Sequence, residues 1–128
     1  MLKLTNPNTL FSPPSNYSHI VEIPGGSRLA FISGQVAVRA DGSTPEDFAA
    51  QVEQTLENLT AALAAIDMEI TDLVRLNGYI TAKGDVGIYR DVRDCWAGGH
   101  AAASTLVEVA ALASPAWHVE IEAVAAKS

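Results

Sequence analysis

The sequence predicts one α+β domain in which two helices pack on one face of a mixed β-sheet, in the order β-β-α-β-α-β-β. Three patterns predict it: a long helical stripe of apolar residues, a second helical segment, and alternating apolar segments around both. The 128 residues are a typical size for one domain, so we assign residues 1–128 to a single unit. The 48% hydrophobic content excludes intrinsic disorder.

The N-terminal part predicts an arm followed by a hairpin. Residues 1–18 are rich in proline, asparagine and serine, which is typical of an irregular arm with room for one short strand. His19–Ile23 and Leu29–Ser33 are short apolar stretches on either side of Pro24-Gly25-Gly26-Ser27. Two such stretches around a glycine- and proline-containing turn predict a β-hairpin.

The first helix has the clearest signal. Thr44 suits an N-cap, Pro45 the first helical position, and Asp47 the acidic first turn. The apolar stripe recurs every three or four residues at Phe48, Val52, Leu56, Leu59, Leu63 and Ile66. The polar residues Gln51, Gln54 and Asn58 are expected on the other face.

The C-terminal part predicts three strands and one helix. Val74–Thr81 alternates as a strand, and Val86–Trp96 follows as a helix that Gly98-Gly99 ends. Thr105–Leu112 is a strand that is apolar on both faces, and His118–Ala125 alternates again. A strand that is apolar on both faces is buried on both. Because the helices cover only one face, the sequence predicts a homo-oligomer whose sheets pack together.

Charge and cysteine content limit the partners and the compartment. Eight Lys and Arg residues stand against 15 Asp and Glu, which disfavours binding to nucleic acid or an anionic membrane. The single cysteine, Cys95, excludes an intrachain disulfide, and we interpret it as a packing residue. No stretch has the length of a membrane span or the apolar core of a signal peptide, so we expect a cytoplasmic protein.

The last strand carries the ionisable residues of interest. His118, Glu120 and Glu122 share one face because side chains repeat every second residue along a strand. Three interpretations stay open: a solvated face, a metal site, or a carboxylate at a subunit boundary that passes a proton near neutral pH. Because no second cluster of ligands completes a coordination shell, we assign no metal.

Several segments together resemble the RidA/YjgF family of reactive-intermediate deaminases. They are Tyr17, Ser33-Gly34-Gln35, Gln51 to Asn58-Leu59, Ala103–Val109 and Val119–Ala125. The resemblance spans nearly the whole chain. It implies a chorismate-mutase-like fold and a homotrimer with a central barrel of packed sheets and three clefts between subunits. It also implies hydrolysis of imines and enamines to 2-oxo acids and ammonia, without a cofactor or metal.

The resemblance also assigns the site residues. It implies that Tyr17, Ser33, Gly34 and Glu120 line the cleft, with Glu120 holding the attacking water and moving its proton. The remaining two positions, Ser104 and Leu106, match an arginine and a cysteine of the deaminating members.

The presence of Ser104 where the deaminating members have an arginine bears on the substrate. The family's arginine clamps a carboxylate, and a neutral hydroxyl cannot replace its forked cation. We therefore expect a deaminase-like hydrolase for a small imine, enamine or related C–N substrate, and not for a simple 2-imino acid. The alternative is a trimer that binds a small metabolite without turnover. The acidic charge disfavours a third activity ascribed to the family, nuclease or translation inhibition.

Overall fold

The computed structural model describes all residues, 1–128, and has six strands and two α-helices, with one short 3₁₀-helix at Ile70–Asp72 before the fourth strand. In chain order they are β1 (Lys3–Thr5), β2 (Ile20–Glu22), β3 (Arg28–Val36), α1 (Phe48–Ala64), β4 (Leu73–Ile80), α2 (Val86–Ala97), β5 (Ala103–Glu108) and β6 (Val119–Lys127). The main sheet has the order β3-β6-β4-β5, and only β4 and β5 are parallel. The two helices pack on one face of this mixed sheet, which confirms the predicted class. Neither helix is long and apolar enough to span a membrane.

Helix α1 begins three residues later than the sequence predicts. Asp47, and not Thr44, is the N-cap, because its carboxylate accepts a hydrogen bond from the backbone N–H of Ala50 at 3.0 Å. The apolar stripe is confirmed, since Val52, Leu56, Leu59 and Leu63 are buried in the core. It packs against the alternate residues of the sheet that face the helices: Leu73, Leu76, Ile80, Val119, Ile121, Ala123 and Ala125.

The predicted hairpin is wrong. Strand β2 pairs with β1, where Leu4 lies opposite Val21, and the two form a separate small sheet. Strand β3 instead pairs with β6. The turn between β2 and β3 does form, and Ser27 Oγ donates to the carbonyl of Pro24 at 2.7 Å. This turn connects the two sheets and does not close a hairpin, because β2 pairs with β1 of the N-terminal arm and not with β3.

Strand β5 is shorter than predicted and only half-buried. It ends at Glu108, and beyond it Val109 donates one further backbone hydrogen bond to Ile80. As an edge strand that pairs only with β4, it has Leu106 packed against the core on the helix side, whereas Val107 on the other side is exposed. Within one chain, the expected burial of both faces is therefore not met.

The sheet face opposite the helices is uncovered and partly apolar. The pairing register places Phe31, Val124 and Arg75 in one row on this face. The side chain of Phe31 is 78% exposed, and Leu29 and Val107 on the same face are also exposed. Leu29 and Phe31 lie on the edge strand β3, and Val107 lies on β5 at the opposite edge. Large exposed apolar side chains on a sheet face are typical of a surface that meets another protein.

Gln51 joins α1 to the start of β6, contrary to its predicted place on the polar face. It is 1% exposed. Its Nε2 donates to the carbonyls of Pro45 and Ala116, and its Oε1 accepts from the N–H of His118, each at 2.9 Å. All of these partners are backbone groups outside regular structure, so this side chain replaces the hydrogen bonds that a ladder would supply.

Asn58 makes a second connection between helix and sheet. Its Nδ2 donates to the carbonyls of Val36 at 3.0 Å and Val38 at 3.1 Å. These carbonyls lie where β3 ends, so one helix side chain fixes the direction in which the chain leaves the sheet.

Candidate functional site

Glu120 and Gly34 meet on the uncovered face of the sheet. In the β3–β6 ladder Glu120 lies opposite Val36, and the register shifts between Ile32 and Gln35. The pairing thus skips Ser33 and Gly34, which is typical of a β-bulge. A Cβ added at Gly34 would lie 2.8 Å from Glu120 Cδ and closer still to Oε2. The carboxylate therefore rests against the glycine backbone, and only glycine leaves it that room.

The two glutamates of β6 have different surroundings. Glu122 Oε1 accepts hydrogen bonds from the hydroxyl of Tyr79 and, at 3.3 Å, from Asn77 Nδ2. The hydrogen bond to Glu122 raises the pKa of Tyr79, so this phenol keeps its proton and remains a donor. The half-buried Glu120 accepts no hydrogen bond from another side chain of the chain. Glu122 is therefore held in place, and Glu120 is free to bind water or substrate.

His118 is not part of this carboxylate pair. It precedes β6, and its Nδ1 lies 3.4 Å from Thr81 Oγ1. No group of three or more His, Cys, Asp or Glu side chains converges in the chain as a metal site needs.

The N-terminal arm carries Tyr17 to the entrance of β5. The residues on either side of Tyr17 hold it in place. Asn16 Nδ2 donates to the backbone carbonyl of His100 at 3.2 Å, and the backbone N–H of Ser18 donates to the backbone carbonyl of Ala102 at 3.1 Å. The Tyr17 ring meets the ring of His19 edge-on, with centroids 5.6 Å apart.

Ser104 and Leu106 point to the helix side of the sheet. Ser104 lies opposite the buried Leu76, and Leu106 packs against the core. Glu120 lies on the other face, and β4 separates its strand from β5. Since neighbouring strands in a sheet lie about 4.8 Å apart, the backbones of β6 and β5 are about 10 Å apart. A single chain therefore places Glu120, Ser33 and Gly34 in one group, and the arm and β5 residues in another.

Arg93 is the residue near these positions that the sequence did not reveal. It is 3% exposed, and its Nε donates to Asp94 Oδ1 at 2.9 Å. Its Nη1 donates to Ser104 Oγ at 3.3 Å, and its guanidinium lies 5.7 Å from the ring centre of Tyr89. Its Nη2 is buried without a hydrogen-bond partner. Its four-residue spacing from Tyr89, which is buried on the core side of α2, is the signal that could have found it.

Cys95 is exposed, so its interpretation as a packing residue is wrong. It lines a groove of about 420 Å³ between α1 and α2, which contains none of the predicted site residues. The charged side chains of the groove are Glu53, Glu57 and Asp91. A reactive thiolate needs electropositive surroundings, so this acidic groove does not favour a nucleophile.

Comparisons with known proteins find similar sequences and structures. The family model described as Endoribonuclease L-PSP matches residues 8–127. Protein DfrA of Myxococcus xanthus is 34% identical over 113 residues, which is 85% of this chain and 83% of that protein. The 2-iminobutanoate/2-iminopropanoate deaminase of Escherichia coli K12 is 31% identical over 103 residues, or 77% and 80% of the two chains. A crystal structure of the Rid-family protein YyfB from Yersinia pestis has a TM-score of 0.86 at 33% identity and covers 97% of each chain.

The fold and these similarities support one assignment. This chain belongs to the RidA/YjgF family.

Proposed function

We propose that this protein hydrolyses a small reactive imine, enamine or related C–N substrate in a cleft between subunits. The observation that carries the proposal is the Glu120 carboxylate, which lies against Gly34 with no side-chain partner of its own. A relative at 31% identity is a 2-iminobutanoate/2-iminopropanoate deaminase, which supports this reaction class.

The proposed chemistry needs one carboxylate and one water molecule. Glu120 accepts a proton from water as the water oxygen bonds to the imine carbon. It returns that proton to the nitrogen, which gives a carbinolamine. Glu120 then takes the proton of the new hydroxyl group and passes it to the amine, so the C–N bond breaks, ammonia leaves and a carbonyl product remains. The backbone at Ser33 and Gly34 and the hydroxyl of Tyr17 orient the imine. No cofactor or metal takes part in this sequence.

We also propose a homotrimer whose sheets pack through the uncovered face. Two observations support it: the exposed apolar residues Leu29, Phe31 and Val107 on that face, and the separation of the two groups of site residues within one chain. A cleft that contains both groups takes each from a different copy. Sedimentation equilibrium should give three times the chain mass of 13.5 kDa, and a monomer would contradict the proposal.

The proposed substrate differs from that of the arginine-bearing deaminases. The matching position holds Ser104, whose hydroxyl already accepts a hydrogen bond from Arg93. Two parallel donors from a forked guanidinium are thus absent at this position, and we expect poor turnover of simple 2-imino acids. The formal charge of −7 opposes nucleic-acid cleavage, although the family model carries the name of an endoribonuclease. The acidic charge and single cysteine suit a cytoplasmic enzyme that acts on small molecules.

A trimer that binds a small metabolite without turnover is the second candidate. It is favoured by the crystal structure of E. coli TdcF with bound serine, a relative that is 28% identical with a TM-score of 0.73. The two candidates separate in one assay of ammonia release from freshly generated 2-iminopropanoate and from the imine of acetone. Release above the spontaneous rate from either supports the hydrolase. No release, together with a metabolite that raises the melting temperature, supports the binding protein.

Gly34→Ala should reduce ammonia release at least tenfold and leave the melting temperature nearly unchanged. The three heavy atoms nearest to the added methyl group, Oε2, Cδ and Cγ, all belong to the flexible Glu120 side chain. This side chain moves aside at little cost in stability and loses its position for proton transfer. Gly25→Ala is the matched control, because a Cβ there has no heavy atom within 4 Å. Equal activity of the two variants would show that the carboxylate does not need its place on Gly34.

A further inference from the structure

Tyr79 lies directly beside the proposed proton carrier. In the β4–β6 ladder it is the residue opposite Glu120, and both side chains are on the uncovered face of the sheet. Opposite side chains on one face of an antiparallel pair have their Cβ atoms about 4.5–5.5 Å apart. On the other side of β6, the backbone of Gly34 in β3 adjoins the same carboxylate. Glu120 therefore stands between a glycine backbone and an aromatic ring.

The far end of the Tyr79 ring is anchored. Its hydroxyl donates to Glu122 Oε1, and Asn77 Nδ2 donates to the same oxygen at 3.3 Å. Because Glu122 lies opposite Asn77, it is the diagonal neighbour of Tyr79 in the ladder. Aromatic side chains reach such diagonal neighbours, so the ring extends along the sheet beside Glu120 toward Glu122. The hydroxyl end of the ring is thus fixed by Glu122, which Asn77 holds in turn.

Glu120 has no anchor of this kind. It accepts no hydrogen bond from another side chain of the chain, whereas Glu122 accepts two. The side chain of a glutamate has several rotatable bonds, and only its neighbours limit the positions that the carboxylate takes. Gly34 leaves room for the carboxylate toward β3. The ring of Tyr79 closes the side toward β4.

We propose that Tyr79 is a positioning residue whose ring, held by Glu122, keeps the Glu120 carboxylate at Gly34. The inference rests on the proposed function and gives the two carboxylates of β6 different tasks. Glu120 exchanges protons with water and substrate, whereas Glu122 fixes the ring through the Tyr79 hydroxyl. Tyr79 is assigned no contact with the imine, so its substitution should change the rate of proton transfer and not the binding of substrate.

The kinetic test compares Tyr79→Phe with Tyr89→Phe, on whichever of the two imines the protein hydrolyses faster. Tyr79→Phe keeps the ring but frees its far end. It should lower kcat about tenfold with KM nearly unchanged, since a small displacement of a catalytic group costs up to about a hundredfold in rate. Tyr89→Phe removes a hydroxyl that has no hydrogen-bond partner, in the core on the helix side of the sheet. Its kcat and KM should equal those of the unsubstituted protein.

Glu122 variants test whether the effect passes through the hydroxyl. Glu122→Gln keeps an oxygen that accepts from Tyr79, so its kcat should be nearly unchanged. Glu122→Ala removes this oxygen and should lower kcat as much as Tyr79→Phe does. Because both substitutions release the same ring, the double variant should lose no more than either single variant. Additive losses, or a loss in Glu122→Gln equal to that in Glu122→Ala, would overturn the proposal.

A binding measurement checks that the ring does not contact the ligand. Pyruvate, the product of 2-iminopropanoate hydrolysis, should change the melting temperature of Tyr79→Phe by as much as that of the unsubstituted protein. A smaller change in Tyr79→Phe would mean that Tyr79 binds the ligand, and its assignment as a positioning residue would be wrong.

Crystal structures of the unsubstituted protein and Tyr79→Phe separate failure of the inference from failure of the proposed function. The Glu120 carboxylate should occupy one position at Gly34 in the unsubstituted protein and more than one in Tyr79→Phe. This difference does not depend on turnover, so finding it in a protein that releases no ammonia would refute the hydrolase and support the inference. An active protein in which Tyr79→Phe retains both its kcat and the single position of Glu120 would refute the inference and leave the hydrolase standing.

Discussion

Replacement of Glu120 by glutamine should lower kcat for imine hydrolysis at least a hundredfold. The amide is nearly the same size as the carboxylate, so it still fits against Gly34, but it cannot accept the proton of the attacking water. General base catalysis contributes about 10²–10⁴-fold, which sets the expected loss. Ammonia release measured in a coupled assay gives the rate, and circular dichroism and sedimentation show whether the fold and assembly are kept.

The control for this variant is Glu57→Gln, which removes the same charge from an exposed position on α1. Its activity should equal that of the unsubstituted protein. If Glu120→Gln remained active, Glu120 would not be the proton carrier, and the proposed mechanism would fail. If it lost ammonia release but still gained stability from pyruvate, the substrate would bind normally and only the proton transfer would be lost.

The largest effect on stability is expected for Gln51→Leu, at about 3 kcal/mol in the free energy of unfolding. Leucine is similar in volume and cannot hydrogen-bond, so it leaves the carbonyls of Pro45 and Ala116 and the N–H of His118 without their partner. Each polar group left unsatisfied in this way costs about 1–3 kcal/mol when fully buried, and partial access to water reduces the sum. Urea denaturation followed by circular dichroism measures the change.

Gln54→Leu is the matched control on the same helix. Gln54 makes one side-chain hydrogen bond, to Asn58 Oδ1 at 2.9 Å, and touches none of the three backbone groups. Its substitution should cost no more than about 1 kcal/mol. Similar losses in the two variants would mean that the Gln51 hydrogen bonds contribute little beyond those to water.

Local periodicity predicted the elements well and their partners poorly. The stripe from Phe48 to Leu63 identified α1, and the alternation along Val119–Ala125 identified β6 and its buried face. The hairpin failed because a turn signal fixes a change of direction but not the strand that each side pairs with. Gln51 was misplaced for a similar reason, since its three backbone partners lie far from it or outside the helix.

The candidate site was accessible to sequence reasoning only through the family resemblance. That resemblance named both Glu120 and Gly34, and the structure places them in contact across the β3–β6 ladder. Arg93 escaped because a charged residue on an amphipathic helix is typical of a solvated face. Its burial depends on the hydroxyl of Ser104 and the ring of Tyr89, which only the packing of α2 on the sheet brings together.

If the proposed homotrimer forms through the uncovered face of the sheet, the stability of this protein depends on its concentration. Phe31 is 78% exposed in one chain. Burial of this apolar surface against other copies stabilises the folded state, and mass action makes that gain depend on protein concentration. Dilution should then lower the melting temperature. A newly made chain should remain prone to aggregation until it encounters its first copies, so the rate of synthesis should influence how much of it survives.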